Sequence, residues 1–108
     1  MRGLLILILS MFTATAFSQV VVKQFNAGWN EHNNVEWFSD LKECELSNID
    51  IVEKPKQQGK HGIIIVPTII IFNNGEEVKR FQADISFKMV ATKEEVQEEI
   101  SKLIMNKF

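Results

Sequence analysis

Apolar and polar positions divide this chain into a continuous apolar opening and a set of short alternating segments. Leu4 to Phe12 is an apolar run broken only at Ser10, preceded by Met1 and Arg2 and followed by small residues from Thr13 to Ala16. Ala16 and Ser18 then stand three and one positions ahead of a cut before Gln19, the layout of a secretory signal peptide. Residues 1–18 are therefore expected to be removed on export, leaving residues 19–108 as one domain. The apolar stretch from Gly3 to Phe17 is shorter than the roughly 20 residues a spanning helix needs, so no stable membrane anchor is expected. The absence of a following cysteine gives no expectation of a lipid anchor either.

Val20 to Phe25 (VVVKQF) opens with three β-branched residues and predicts a strand. From about Glu31 to Lys42, Val35, Phe38 and Leu41 recur every third position, which predicts a helix with one apolar face. Leu46 to Val52 predicts a second strand. Lys54 to Gly62 is polar, with Pro55 suited to a first helical turn and Gly62 to a helix end. Ile63 to Phe72 (IIIVPTIIIF) predicts a strand buried on both faces, made irregular by Pro67. Asn73-Asn74-Gly75 predicts a hairpin turn, with Val78 to Gln82 as the return strand. Thr92 and Glu95 have capping-box spacing, and the helix they start carries Val96, Ile100, Leu103 and Ile104 on one face. The order β-α-β-α-β-β-α implies an α/β domain with one mixed sheet flanked by helices.

Composition narrows the chemistry. The chain has 108 residues and a formal net charge of -2, so no nucleic-acid partner and no attraction to anionic membranes is expected. Its single cysteine, Cys44, rules out an intramolecular disulfide and a cysteine-based zinc site. No cofactor motif is present in the sequence.

Several segments together resemble the thioredoxin family. They are Lys60-His61-Gly62-Ile63, Val66-Pro67-Thr68, Phe72-Asn73-Asn74-Gly75-Glu76, Asn48-Ile49-Asp50 and Phe25-Asn26-Ala27-Gly28-Trp29. The resemblance implies a thioredoxin-like fold with a four-stranded core, as in glutaredoxins, and Leu46 to Val52 at a sheet edge. In the family a tryptophan precedes a Cys-x-x-Cys pair. Here Trp29 matches the tryptophan, while Asn30 and Asn33 occupy both cysteine positions. Gln24 occupies the place of the family's buried acid. Disulfide exchange requires an attacking thiolate and a resolving thiol, and asparagine supplies neither.

The resemblance also implies that Pro67 follows a cis peptide bond and that a peptide groove lies between Trp29–Asn33 and Val66–Thr68. The expectation is a redox-inactive exported module that binds a protein or peptide through Trp29, Asn30, His32, Asn33, Val66, Pro67 and Thr68. Asn30 or Asn33 is expected to cap the first helix. His32 lacks converging donors for a metal, so no metal site is expected. Cys44 is the candidate reactive thiol, read chiefly as a small buried hydrophobe. The rival expectations are residual monothiol activity at Cys44 and a homodimer through the open edge strand.

Overall fold

The computed structural model describes residues 20–105, so the signal-peptide expectation falls outside the described residues. Strand β1 (Val20–Asn26) pairs parallel with β2 (Glu45–Asp50) on one side and antiparallel with β3 (Thr68–Asn73) on the other. β4 (Glu76–Gln82) completes a four-stranded mixed sheet in the order β2-β1-β3-β4, which puts β2 at an edge as expected. The turn joining β3 to β4 has positive φ at both Asn74 (55°) and Gly75 (85°), the backbone that an Asn-Gly hairpin selects.

Residues in β3 alternate between two apolar layers because successive strand side chains point to opposite faces. Ile69 and Ile71 join Val20, Val22, Val35, Phe38, Leu41, Val96 and Ile100 on one face. Ile70 and Phe72 join Phe25, Ile49, Ile51, Ile63 and Val66 on the other. Burial on both sides explains the apolar run from Ile69 to Phe72, but the strand expected from Ile63 begins only at Thr68, after the cis Val66–Pro67 bond, and Ile64 is 83% exposed. Each fully buried Ile or Val contributes about 1.5–3 kcal/mol relative to exposure.

Helix α1 (Pro55–His61) has Pro55 in its first turn and ends at Gly62, which is left-handed at φ 59° and ψ 47°. Helix α2 (Lys93–Met105) begins with the expected reciprocal cap. Thr92 Oγ1 accepts the Glu95 N–H at 3.2 Å, and Glu95 Oε1 accepts the Thr92 N–H at 3.2 Å. Val96 and Ile100 are its buried residues.

The helix expected over Glu31–Lys42 is absent. In its place are two short 3₁₀ helices, Gly28–Asn33 and Glu36–Asp40, separated by extended backbone at Asn34 and Val35. The physical reason lies in the spacing. Side chains three apart eclipse in a 3₁₀ helix of three residues per turn, so Val35, Phe38 and Leu41 share a buried face without any α-helix. The Val35 N–H donates to Gln24 Oε1 at 2.9 Å, a side-chain acceptor where an α-helix would use a backbone carbonyl. β2 also ends earlier than expected, because Asp50 Oδ1 accepts the Val52 N–H at 2.8 Å and turns the chain out of the sheet.

Candidate functional site

The candidate site lies at the carboxyl end of β1, beside the segment that leads into β3. Asn26 closes β1, Ala27 caps the first 3₁₀ helix, and Trp29 and Asn30 follow within it. The Val66–Pro67 bond is cis, and the Pro67 carbonyl accepts the Ala83 N–H at 3.0 Å, tying this segment to the end of β4.

Asn30 is only 1% exposed, and its amide is fully engaged. Nδ2 donates to Asn26 Oδ1 at 3.1 Å and to the Val66 carbonyl at 3.4 Å. Asn33 Nδ2 donates to Asn30 Oδ1 at 2.8 Å. Asn26 Nδ2 donates to the Asn30 carbonyl at 3.2 Å and also to Asn34 Oδ1. Asn30 and Asn33 therefore belong to one amide network with Asn26 and Asn34. Buried polar groups are stable only when paired in this way.

Gln24, 3% exposed, bridges two elements beneath the network. Its Nε2 donates to Asn48 Oδ1 at 2.9 Å while its Oε1 accepts the Val35 N–H. This side chain ties β1 to β2 and to the segment between the two 3₁₀ helices.

The expectation that Asn30 or Asn33 caps the helix is not met. The cap residue is Ala27, with no side-chain bond to the helix. Asn30 sits inside the 3₁₀ turn at φ -113° and ψ 19°, where its amide reaches Asn26 and Val66 more readily than a helix-terminal N–H.

Trp29 is 61% exposed and stands edge-on to Phe87, with ring centroids 5.3 Å apart and planes at 86°. Such T-shaped pairs are favourable beyond simple area burial. Phe87 adopts a positive φ of 65° in the Ala83–Ala91 loop. Hydrogen bonds from Ser86 Oγ and from the backbone N–H groups of Lys88 and Ser86 hold the Asp84 carboxyl below the usual carboxylate range, and they brace this loop. His32 is exposed, its Nε2 lying 3.3 Å from Asn33 Nδ2. The side chains of Val66, Pro67 and Thr68 are buried, and Thr68 Oγ1 donates to the Ile65 carbonyl at 2.6 Å. Trp29 and Phe87 (38% exposed) thus present an aromatic surface to solvent.

The structure links Asn30 to Asn33 and to the Val66 carbonyl; Trp29 and His32 adjoin these asparagines in the chain, while the side chains of Val66, Pro67 and Thr68 are buried. It leaves Cys44 apart. Cys44 precedes β2, whose Glu45 pairs with Val21 near the amino end of β1, whereas the site is at the opposite end of that strand. Its half-buried side chain packs on the core, and burial, followed by the Glu43 charge, pushes its thiol up.

Sequence reasoning missed Asn26, Asn34 and Phe87. The two-residue strand period places Asn26 on the face of Gln24, which was a usable signal. Nothing in the sequence links Phe87 to Trp29. Among the described residues no group of three or more His, Cys, Asp or Glu is arranged to hold a metal ion. No helix among them is long and apolar enough to cross a membrane.

No protein-family model and no curated protein sequence matches this chain. Solved structures do match it in fold. A thioredoxin from Schistosoma mansoni superposes with a TM-score of 0.63 at 22% identity, covering 87% of this chain and 85% of its own. A mutant thioredoxin from Halobacterium salinarum gives 0.62 at 22% identity, covering 82% and 77%. A thioredoxin from Nicotiana alata gives 0.58 at 21% identity, covering 87% and 81%. The fold is thioredoxin-like, and it carries a single cysteine.

Proposed function

We propose that this chain is an exported, redox-inactive binding module that captures an extended protein or peptide segment beside Trp29. The observation that carries the reading is the amide network. Asn30 and Asn33 stand where disulfide exchange needs thiols, and their side chains are engaged with Asn26, Val66 and each other. Neither group is a nucleophile towards sulfur, and the one thiol of the chain lies elsewhere.

The exposed Trp29–Phe87 pair supplies apolar contacts of the kind that anchor polypeptide partners. The net charge of -2 favours protein over nucleic acid as the partner. The apolar segment of residues 1–18 supports export to a periplasm or the extracellular space. No cofactor is invoked.

Two assays test this. Insulin reduction should show no turnover above background, and turnover dependent on Cys44 would establish the rival monothiol reading instead. Binding of a permanently unfolded polypeptide should weaken at least about tenfold in Trp29→Glu, the scale of losing one aromatic anchor. Unchanged affinity in a folded variant would remove this surface from the proposal.

The edge position of β2, with Leu46 exposed, favours a second reading as a homodimer. Sedimentation with and without reductant separates a strand-paired or Cys44-linked dimer from a monomeric binder.

A further inference from the structure

We propose a second binding site, for a small organic ammonium ligand that also carries hydroxyl groups, such as an amino sugar. It is the cleft at the carboxyl ends of the parallel pair β1–β2. Crevices beyond the carboxyl ends of parallel strands are where open α/β sheets place small ligands. The volume here is about 320 Å³, within the range of small-molecule sites. None of Trp29, Val66, Pro67 or Thr68 lines it, so the proposal does not rest on the peptide-binding reading.

Register builds its floor. Gln24 is opposite Asn48 and Asn26 is opposite Asp50 in the parallel ladder, so four polar side chains share one face of the sheet. In most sheets that face would be apolar and covered by a helix. Here the first 3₁₀ turn contributes Gly28 and Glu31 to the walls, and Asn34, just after it, completes them.

The floor is pre-organised because Gln24 is held at both ends, by Asn48 and by the Val35 N–H. Beyond these bonds, the Nδ2 groups of Asn48 and Asn34 donate to no partner among the described residues, which leaves two amide donors for hydroxyl oxygens. Asp50 uses Oδ1 to hold the Val52 and Glu53 N–H groups, and its Oδ2 faces Gly28. A Cβ at residue 28 would stand 3.3 Å from that oxygen, so glycine leaves the approach to it open.

Charge selects the ligand's sign. Glu31, Asp50 and Glu53 line the cleft against the single cation Lys54. An anion is repelled, and an ammonium group finds carboxylate acceptors beside neutral amides suited to hydroxyls.

The test is calorimetric titration and amide-shift mapping with glucosamine, using glucose as the neutral analogue. Glucosamine should perturb the amides of Asn34, Asn48 and Asp50, and glucose should bind at least about tenfold more weakly, the effect of one charge-assisted hydrogen bond. Asp50→Asn keeps the Oδ1 acceptor of the turn while removing the charge, and should weaken glucosamine by a similar factor. If that variant does not fold, the exposed Glu31→Gln carries the same comparison. Gly28→Ala should also weaken binding. No perturbation at millimolar glucosamine, equal affinity for glucose, or full affinity in the folded charge variant would each overturn the proposal.

Discussion

Replacing Gln24 by leucine tests whether one buried amide holds the region beneath the site together. The two side chains are close in volume, so little cavity is created. Two hydrogen bonds are lost. The Val35 N–H at 2.9 Å is buried with its acceptor, and leaving it unpaired costs about 1–3 kcal/mol. Asn48 is exposed, so water replaces the second bond and its loss costs no more than about 0.5–1.5 kcal/mol. Together these give a destabilisation of about 2–4 kcal/mol, a large share of the roughly 5–15 kcal/mol that holds a small domain folded. Urea unfolding should show a lower midpoint with an unchanged slope. Hydrogen exchange should show the Val35 amide losing protection more than the amides of β3. An unchanged midpoint with Val35 still protected would refute the argument that Gln24 stands in for a helical carbonyl.

Other changes probe the scaffold at separate points. His61 packs its ring between Phe25 and Phe72, each with centroids 5.3 Å away, and its buried Nε2 has no partner among the described residues. Burial first, then the nearby Lys23, Lys60 and Arg80, lower its pKa against a weaker opposing effect of Glu77. The neutral ring is the folded form, so stability present above about pH 6.5 should fall as pH drops below that value. His61→Phe should flatten this slope in thermal melts between neutral and mildly acidic pH. Thr92→Ala removes the reciprocal cap of α2 and should cost about 1 kcal/mol, read as a lower midpoint in denaturant. Gly75→Ala forces a side chain to φ 85° and should cost about 1 kcal/mol or more, with no change in ligand binding at either site.

Elements whose signals are local were legible in the sequence. The Asn-Gly turn, the Thr92–Glu95 cap and the Pro55 to Gly62 helix each depend on a few adjacent residues, and each formed where expected. The segment from Glu31 to Lys42 failed because a strict three-residue repeat fits 3₁₀ geometry as well as one stripe of an α-helix. What decides between them is Gln24, eleven positions upstream of Val35, capturing a backbone donor. No periodicity within the segment records that bond. The site shows the same division. Asn30 and Asn33 were identifiable by position, yet their burial and partners depend on Val66 and Asn26. The pairing of Trp29 with Phe87 joins distant parts of the chain through a loop with no regular pattern.

A site built from neutral amides has a consequence for its shape. A thiol pair with a buried acid changes charge as it works, so its surroundings must tolerate more than one electrostatic state. Gln24, Asn26, Asn30, Asn33 and Asn34 carry no titrating proton, and the side-chain amides of Gln24, Asn26, Asn30 and Asn33 each donate to an acceptor within the fold. The amide framework behind Trp29 therefore keeps its charge at any pH, whereas the loop that carries Phe87 depends on the Asp84 carboxylate. Fixing a site in advance lowers the ordering cost of binding. His61, whose pKa burial lowers, lies on the opposite face of the sheet from this network, so its protonation acts on the Phe25–Phe72 side of the core.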